Sequence, residues 1–416
     1  MIDINQLRQD PEKFKTACQA KNVEPKLVDQ LLQSDKERRE LLGKVEQLRA
    51  QHNEITAKLK TNQDKSLISQ ATTLKDELKA LEPRLAKDEK DFIELLQQIP
   101  NPPAEDVAIA KDESANQVIK TWGEKPNFKF KPKDHLELGE ALDLIDVKRA
   151  AKVSGTRFGY WKNEAVLLEM ALIQLGFTNL LKQGFVPVIP PVMIKSKAMQ
   201  AMGYLEHGGQ AESYFLEADD LYLVGTSEQS IGPMHGDELF NENDLPKRYI
   251  AFSTCFRREA GSYGKDTRGL LRVHQFNKME MFVFIRPQNS DQEHEWLLAL
   301  EEKLVQSLNL PYQVIKMCSG DLGLPAARKY DIECWLPSQN KYRETHSASS
   351  CTDFQARRLN IKYRQKNNAT DFVHTLNGTY FAERLLIAIL ENYQQADGSI
   401  QVPKILQAYV DKETIT

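Results

Sequence analysis

The chain has 416 residues, 41% of them hydrophobic and 27% charged, with 55 lysines and arginines against 59 acids and a formal net charge of −4. That length suggests two or three domains, and the near-balanced charge gives no bulk signal for nucleic-acid binding while leaving room for a local basic face. The five cysteines, Cys18, Cys255, Cys318, Cys334 and Cys351, form no CxxC pair, so no zinc ribbon or redox motif is expected and a reducing compartment fits.

The first residues, MIDINQLRQDPEKF, lack a basic start followed by an apolar run, so no secretory signal is expected. No apolar run approaches the ~20 residues of a membrane helix, and the expected location is cytoplasmic. From Leu41 the sequence becomes heptad-like. Leu41, Val45, Leu48, His52, Ile55 and Leu59 alternate steps of four and three. The polar patch TNQDKS, residues 61–66, interrupts the pattern, and Leu67, Ala71, Leu74, Leu78, Leu81, Leu85, Asp88, Phe92, Leu95 and Ile99 resume it. This is the seam of a coiled coil, and two arms joined by a polar turn predict an antiparallel helical hairpin. Pro83 lies off the seam inside the second arm, where a kink is expected. Lysines and arginines line the arms among similar numbers of acids, which alone reads as a solvated helix surface.

IPNPPAED, residues 99–106, ends the hairpin with three close prolines. A second proline-bearing stretch, KPNFKFKPKDH, precedes the larger part. The expected organisation is an N-terminal domain at residues 1–103, a linker at 104–132 and a core at 133–416. In that core, residues 185–194 and the segments LYLVGTSE, RYIAFSTCFRRE and VHQFNKMEMFVFI read as strands. Residues 164–182, 291–307 and 382–393 read as helices. Strands follow one another without regular βαβ alternation, which predicts an α+β domain on an antiparallel sheet flanked by helices.

The segment CFRREAGSYGKDTRGLLRVHQF, residues 255–276, places arginines, acids and glycines between two strand-like flanks. If residues 251–259 and 271–285 are paired strands, alternation puts Arg257 and Glu259 on one face, and Arg272, His274, Phe276, Lys278 and Glu280 on one face. A flat ring beside acids and arginines suits a purine nucleotide. Phe276 could stack on the base, Glu259 accept from its amine, and Arg257 grip a phosphate or carboxylate. Surface ion pairs on a solvated face are an equal alternative from these residues alone. The sequence has no GxxxxGK[ST] loop and no GxGxxG after a strand, so an ATP enzyme here uses side-chain arginines.

FRRE at residues 256–259 followed by Arg272-x-x-x-Phe276 resembles motif 2 of the class II aminoacyl-tRNA synthetases. FAERLLIAIL resembles motif 3, with its arginine at Arg384, and GFVPVIPPVM resembles motif 1, with its proline at Pro191. TSE at 226–228, FRREAGS, DTRGLLRVHQFNKME, DFQARRLNIKYR, VHTLNGT and AILENYQQADGS are similar to the seryl-tRNA synthetases, and the resemblance spans essentially the whole chain.

That resemblance implies serine binding by Thr226, Ser227, Glu228, Arg257, Glu280 and Thr379. It implies an ATP site of Arg257, Arg258, Glu259, Val273, Phe276, Glu344, Thr345, His346, Ser347 and Arg384. Arg257 and Arg384 stand as catalytic residues, and Glu344 and Ser347 as the contacts of an ATP-bound Mg2+; no zinc is expected. The implied reaction is ATP-dependent activation of serine, then transfer to tRNA(Ser) and to tRNA(Sec). It needs no general base, because a carboxylate is already a nucleophile; placement and charge neutralisation suffice. The resemblance also implies a homodimer joined through motif 1 and an arm that grips the tRNA. His346 and Ala348 depart from the family's usual small polar residue and cysteine, and motif 3 is shorter and less glycine-rich than usual. Two other readings remain: an activating paralogue that charges a carrier protein, which the arm argues against, and a non-catalytic RNA-binding descendant, which intact arginines and acids argue against.

Overall fold

The computed structural model describes residues 1–61, 64–260 and 269–416. These form two compact units, Met1–Pro102 and Pro103–Thr416.

The first unit is helical. Helix α1 (Ile4–Gln9) is capped by Asp3, and α2 (Pro11–Ala20) by Asp10 with proline at its first position, the arrangement that best satisfies free amides at a helix start. Two 34-residue helices follow, α3 (Lys26–Leu59) and α4 (Lys65–Gln98), the latter capped by Asp64. Asn62 and Gln63 of the expected polar turn lie outside the described residues. The helices run antiparallel: Arg49 bonds Glu82 at 2.8 Å, while Arg38 lies over the Phe92 ring at 4.5 Å. The expected seam is the packed one. Val45, Leu48, Leu85, Phe92 and Ile99 are buried, and the other seam positions are half-buried. Pro83 faces solvent, and the helical span continues through it. At the base, the buried Asp35 binds Arg8, Arg38 and Arg39 at 2.8, 3.2 and 3.0 Å. Burial opposes its charge, but these arginines hold the Asp35 carboxyl below its ordinary range.

The second unit is built on an eight-stranded sheet. Its strands are β1 (Gln117–Trp122), β2 (Val186–Val188), β3 (Lys247–Phe256), β4 (Gln275–Ile285), β5 (Tyr312–Lys316), β6 (Arg328–Leu336), β7 (Lys341–Ser350) and β8 (His374–Ala382). They lie in the order β1-β5-β6-β7-β8-β4-β3-β2, antiparallel throughout except for the parallel pair β2–β3. Residues 104–132, read from the sequence as a linker, supply β1, the edge strand paired with β5. The Ala104 amide also bonds the Ala327 carbonyl at 2.9 Å. Five of the six β1 residues are exposed, so this strand is held by its backbone ladder and has no apolar alternation to betray it.

Helices α5 (Glu164–Leu181), α6 (Glu228–Met234), α7 (Ser290–Ser307) and α8 (Glu383–Asn392) flank the sheet. Leu168 and Leu172 of α5, Leu297 and Leu304 of α7 and Leu385 and Ile389 of α8 pack with Met279, Met281 and Val283 of β4 in the main core. Among the described residues, α5 is the one helix apolar enough to cross a membrane by length and composition; its Leu168, Leu172, Leu175 and Leu180 are buried in the core. Phe282 and Phe284, on the other pleat of β4, join a second cluster with Ile231 of α6, Phe240 and Tyr363. Nearer the start of β4 that pleat carries Phe276, Lys278 and Glu280, and there it lines a cleft.

Candidate active site

The cleft consists of two adjoining hollows that share Arg257, Lys278, Glu344 and Ser347. The first is walled by Glu259, Leu270, Leu271, Arg272, Val273, Phe276 and Arg384. Its hairpin differs from the sequence expectation. The ladder stops at Phe256 opposite Gln275, so Arg257, Glu259, Arg272 and Val273 stand on limbs beyond the pleat. Glu259 adopts φ 52°, in the left-handed region uncommon for non-glycine residues; its carboxylate accepts from Arg272 at 2.9 Å. Arg257 donates from Nε to the Gly225 carbonyl at 3.3 Å, and its guanidinium lies 5.2 Å from the Phe276 ring centre. Gly261 and Gly264, expected in the hairpin loop, lie outside the described residues.

Arg384 enters from the first turn of α8. It donates to the Glu344 carboxylate at 2.9 Å and to the Leu271 carbonyl at 3.1 Å. Burial works against the Glu344 charge, but Arg384, Lys329 and Arg257 outweigh it and hold the carboxyl down to about 2.

The second hollow is lined by Tyr204, Thr226, Glu228, Lys278, Glu280 and Lys329. Register places Glu280 opposite Thr379 of β8. Thr379 donates to Glu280 at 3.3 Å, while Lys278 reaches Glu280 at 2.5 Å and Thr379 at 3.4 Å. Tyr204 donates its hydroxyl to Glu228. Burial, then the neighbouring Glu280 charge, push the Glu228 carboxyl up to about 7. The hollow thus sets the cations Arg257, Lys278 and Lys329 among the acids Glu228, Glu280 and Glu344.

Three expected site residues do not line these hollows. Ser227 is fully buried and bonds Ser253 at 2.8 Å. Arg258 turns to the Tyr214 ring, 5.7 Å from its centre. His346 lies on the opposite pleat of β7 for a definable reason. Ile332 pairs with His346 and Glu333 with Glu344, which leaves Thr345 bulged out of register. The bulge brings Glu344 and Ser347 to one face and turns His346 to the other. There burial pushes the His346 imidazole down to about 3, with its Nδ1 2.8 Å from the Thr345 hydroxyl. Thr345 borders the first hollow, but its hydroxyl donates to the Ile332 carbonyl at 3.2 Å. Lys278, Tyr204 and Lys329 also line the site, although no sequence motif assigns them to it. Lys278 was legible as the same-face neighbour of Glu280, whereas Lys329 needs the pairing of β6 with β7 that sets it opposite Ser349.

The donor set suits a hard divalent cation. Glu344, whose cationic neighbours favour its charged form, offers a carboxylate, and Ser347 adds a hydroxyl on the same face. Mg2+ commonly uses one or two protein oxygens, with substrate phosphates and water completing its shell.

An antiparallel sheet thus brings arginines from a hairpin limb and a helix start to one cleft, and the family match identifies this core as that of a class II aminoacyl-tRNA synthetase. Residues 214–393 match the tRNA synthetase class II core domain (G, H, P, S and T), and residues 1–103 match the seryl-tRNA synthetase N-terminal domain. The serine–tRNA ligase of Dictyoglomus turgidum is 46% identical over 416 residues, covering 99% of this chain and 98% of that protein. That of Thermobifida fusca is 44% identical, with 100% and 99% covered. The crystal structure of seryl-tRNA synthetase from Pyrococcus horikoshii complexed with ATP superposes with a TM-score of 0.93 at 38% identity, covering 100% of this chain and 99% of that one. The chain belongs to the seryl-tRNA synthetase family and is a ligase that forms aminoacyl-tRNA.

Proposed function

We propose that the first hollow binds ATP, that the second binds L-serine, and that Arg257 between them aligns the two for adenylate formation. The observation that carries this reading is the position of Arg257, common to a hollow with Phe276, Glu259 and Arg384 and a hollow with Thr226, Glu228 and Glu280. The serine carboxylate attacks the α-phosphorus in line and the bond to pyrophosphate breaks. The terminal adenosine hydroxyl of tRNA(Ser), or of tRNA(Sec), then attacks the acyl carbon and AMP leaves. Phe276 stacks on adenine, Glu259 accepts from its amine, and Val273 lines its pocket. Arg257 and Arg384 neutralise charge on the phosphates, an effect strengthened by exclusion of water. Glu344 and Ser347 would hold Mg2+, which supplies further charge neutralisation when bound.

Glu280 accepts the serine hydroxyl. An alanine side chain would leave that buried carboxylate short of a partner, which disfavours it. Threonine is excluded by space around Thr379 and Glu280. The helical hairpin serves as the tRNA arm, reading shape and backbone charge. The family match to residues 1–103 supports this assignment. Exposed apolar residues on α5 (Val166, Leu167, Met170) and along the motif 1 segment (Val186, Ile189, Met193) support a homodimer, and membership of the family supports work in the cytoplasm. The deciding variant is Arg257→Ala. It should lower serine-dependent ATP–pyrophosphate exchange at least ~100-fold with an unchanged circular dichroism spectrum. Near-normal exchange would refute the site assignment.

A further inference from the structure

Two consecutive residues of the cleft wall at residues 270–273 are tied to one helix. Arg384, in the first turn of α8, donates from Nε to the Leu271 carbonyl at 3.1 Å. Glu391 lies seven residues on, along the same helix face. Its carboxylate, fully buried, accepts from the His135 Nδ1 at 3.0 Å and from the His135 amide at 3.1 Å. It also accepts from the Ser338 amide at 3.2 Å and the Ser338 hydroxyl at 2.6 Å. The other ring nitrogen of His135, Nε2, accepts from the Leu270 amide at 3.1 Å. Only the tautomer with its proton on Nδ1 serves both partners, and the carboxylate selects it.

Gly269 completes the fit. It adopts φ 82°, and a Cβ there would lie 2.3 Å from His135 Nε2. The limb therefore passes so close to the imidazole that only glycine is accommodated. Leu270 is itself buried and packs over Gly159, where a Cβ would meet its Cδ2 at 2.4 Å.

We infer that His135 and Glu391 form the second point of a two-point clamp by which α8 fixes the residue 270–273 wall against the nucleotide. His135 is thus a positioning residue for ATP that touches no substrate. The inference rests on the assignment of the first hollow to ATP. Without the imidazole acceptor, the Leu270 amide is left buried and unpaired, a state costly enough to shift the limb.

The test compares His135→Asn, His135→Phe and His135→Gln by ATP–pyrophosphate exchange, with thermal midpoints measured in parallel. Asn keeps a donor toward Glu391 but cannot reach Leu270; Gln places an amide oxygen where Nε2 stood. His135→Asn and His135→Phe should raise the KM for ATP about tenfold and leave the KM for serine within about twofold, while His135→Gln should recover most of the loss. Equal changes in both KM values, changes that only track the folded fraction, or a Gln variant no better than Phe would overturn the clamp. Phe276→Ala and Arg384→Ala serve as controls. If these raise the KM for ATP while His135→Asn does not, the clamp alone is wrong; if they too leave it unchanged, the nucleotide assignment is wrong and the clamp falls with it.

Discussion

Replacing Lys278 by methionine removes one half of an ion pair that the structure buries almost completely. The Lys278 and Glu280 side chains are 8% and 1% exposed, with 2.5 Å between Nζ and Oε2. Methionine keeps the apolar stem but leaves Glu280 with the Thr379 hydroxyl as its remaining side-chain partner at 3.3 Å. Breaking a buried pair from one side costs about 3–5 kcal/mol, because the surviving charge stays desolvated. Nearby Glu228, already pushed up to about 7, also loses the Lys278 cation that favours its ionised form, so the upper half of that range is expected, about 4 kcal/mol. Lys278→Met/Glu280→Gln removes both charges and should recover roughly half of the loss. Urea unfolding followed by tryptophan fluorescence isolates the relevant unit, since Trp122, Trp161, Trp296 and Trp335 all lie within Pro103–Thr416. A loss below about 1 kcal/mol for the single variant, or a double variant less stable than the single, would refute the reasoning.

Glu383 gives a pH test. Burial, then the Glu169 charge, raise its carboxyl to about 7, so the native state binds a proton that the unfolded state has released. Between roughly pH 4.5 and 7 its contribution to stability therefore falls as pH rises. Glu383→Gln should gain stability relative to the parent at pH 7.5 compared with pH 5, and a difference independent of pH would contradict the assignment. In the arm, Lys75→Glu/Lys79→Glu should raise the KM for tRNA and flatten its salt dependence, with pyrophosphate exchange unchanged; equal loss of both activities would speak against an arm dedicated to tRNA. Glu280→Gln should narrow the preference for serine over alanine about tenfold or more, read as the ratio of kcat/KM values in exchange; an unchanged ratio would remove Glu280 from serine recognition.

The helical hairpin was legible because its period repeats over many turns, and every seam position from Leu41 to Leu59 and from Leu67 to Ile99 is buried or half-buried. Helices α5, α7 and α8 of the core were also legible, whereas the short α6 was not. Strand β1 was not, because its side chains are exposed and its place is set by a backbone ladder to β5 that no local pattern encodes. The site shows the same division. Motif strings located Arg257, Glu259, Phe276, Glu280 and Arg384, all of which line the cleft. His346 was misplaced because a bulge at Thr345 reverses the pleat, and such a bulge has no signature in a single sequence. His135 and Glu391 escaped notice because their partnership spans 256 residues.

The central claim is that the two hollows meeting at Arg257 form a serine-specific adenylate site. The most direct measurement is ATP–pyrophosphate exchange without tRNA, comparing serine, threonine, alanine and glycine. The account predicts exchange with serine and only background with the other three. Exchange with alanine or threonine comparable to serine, or none with any amino acid, would contradict it.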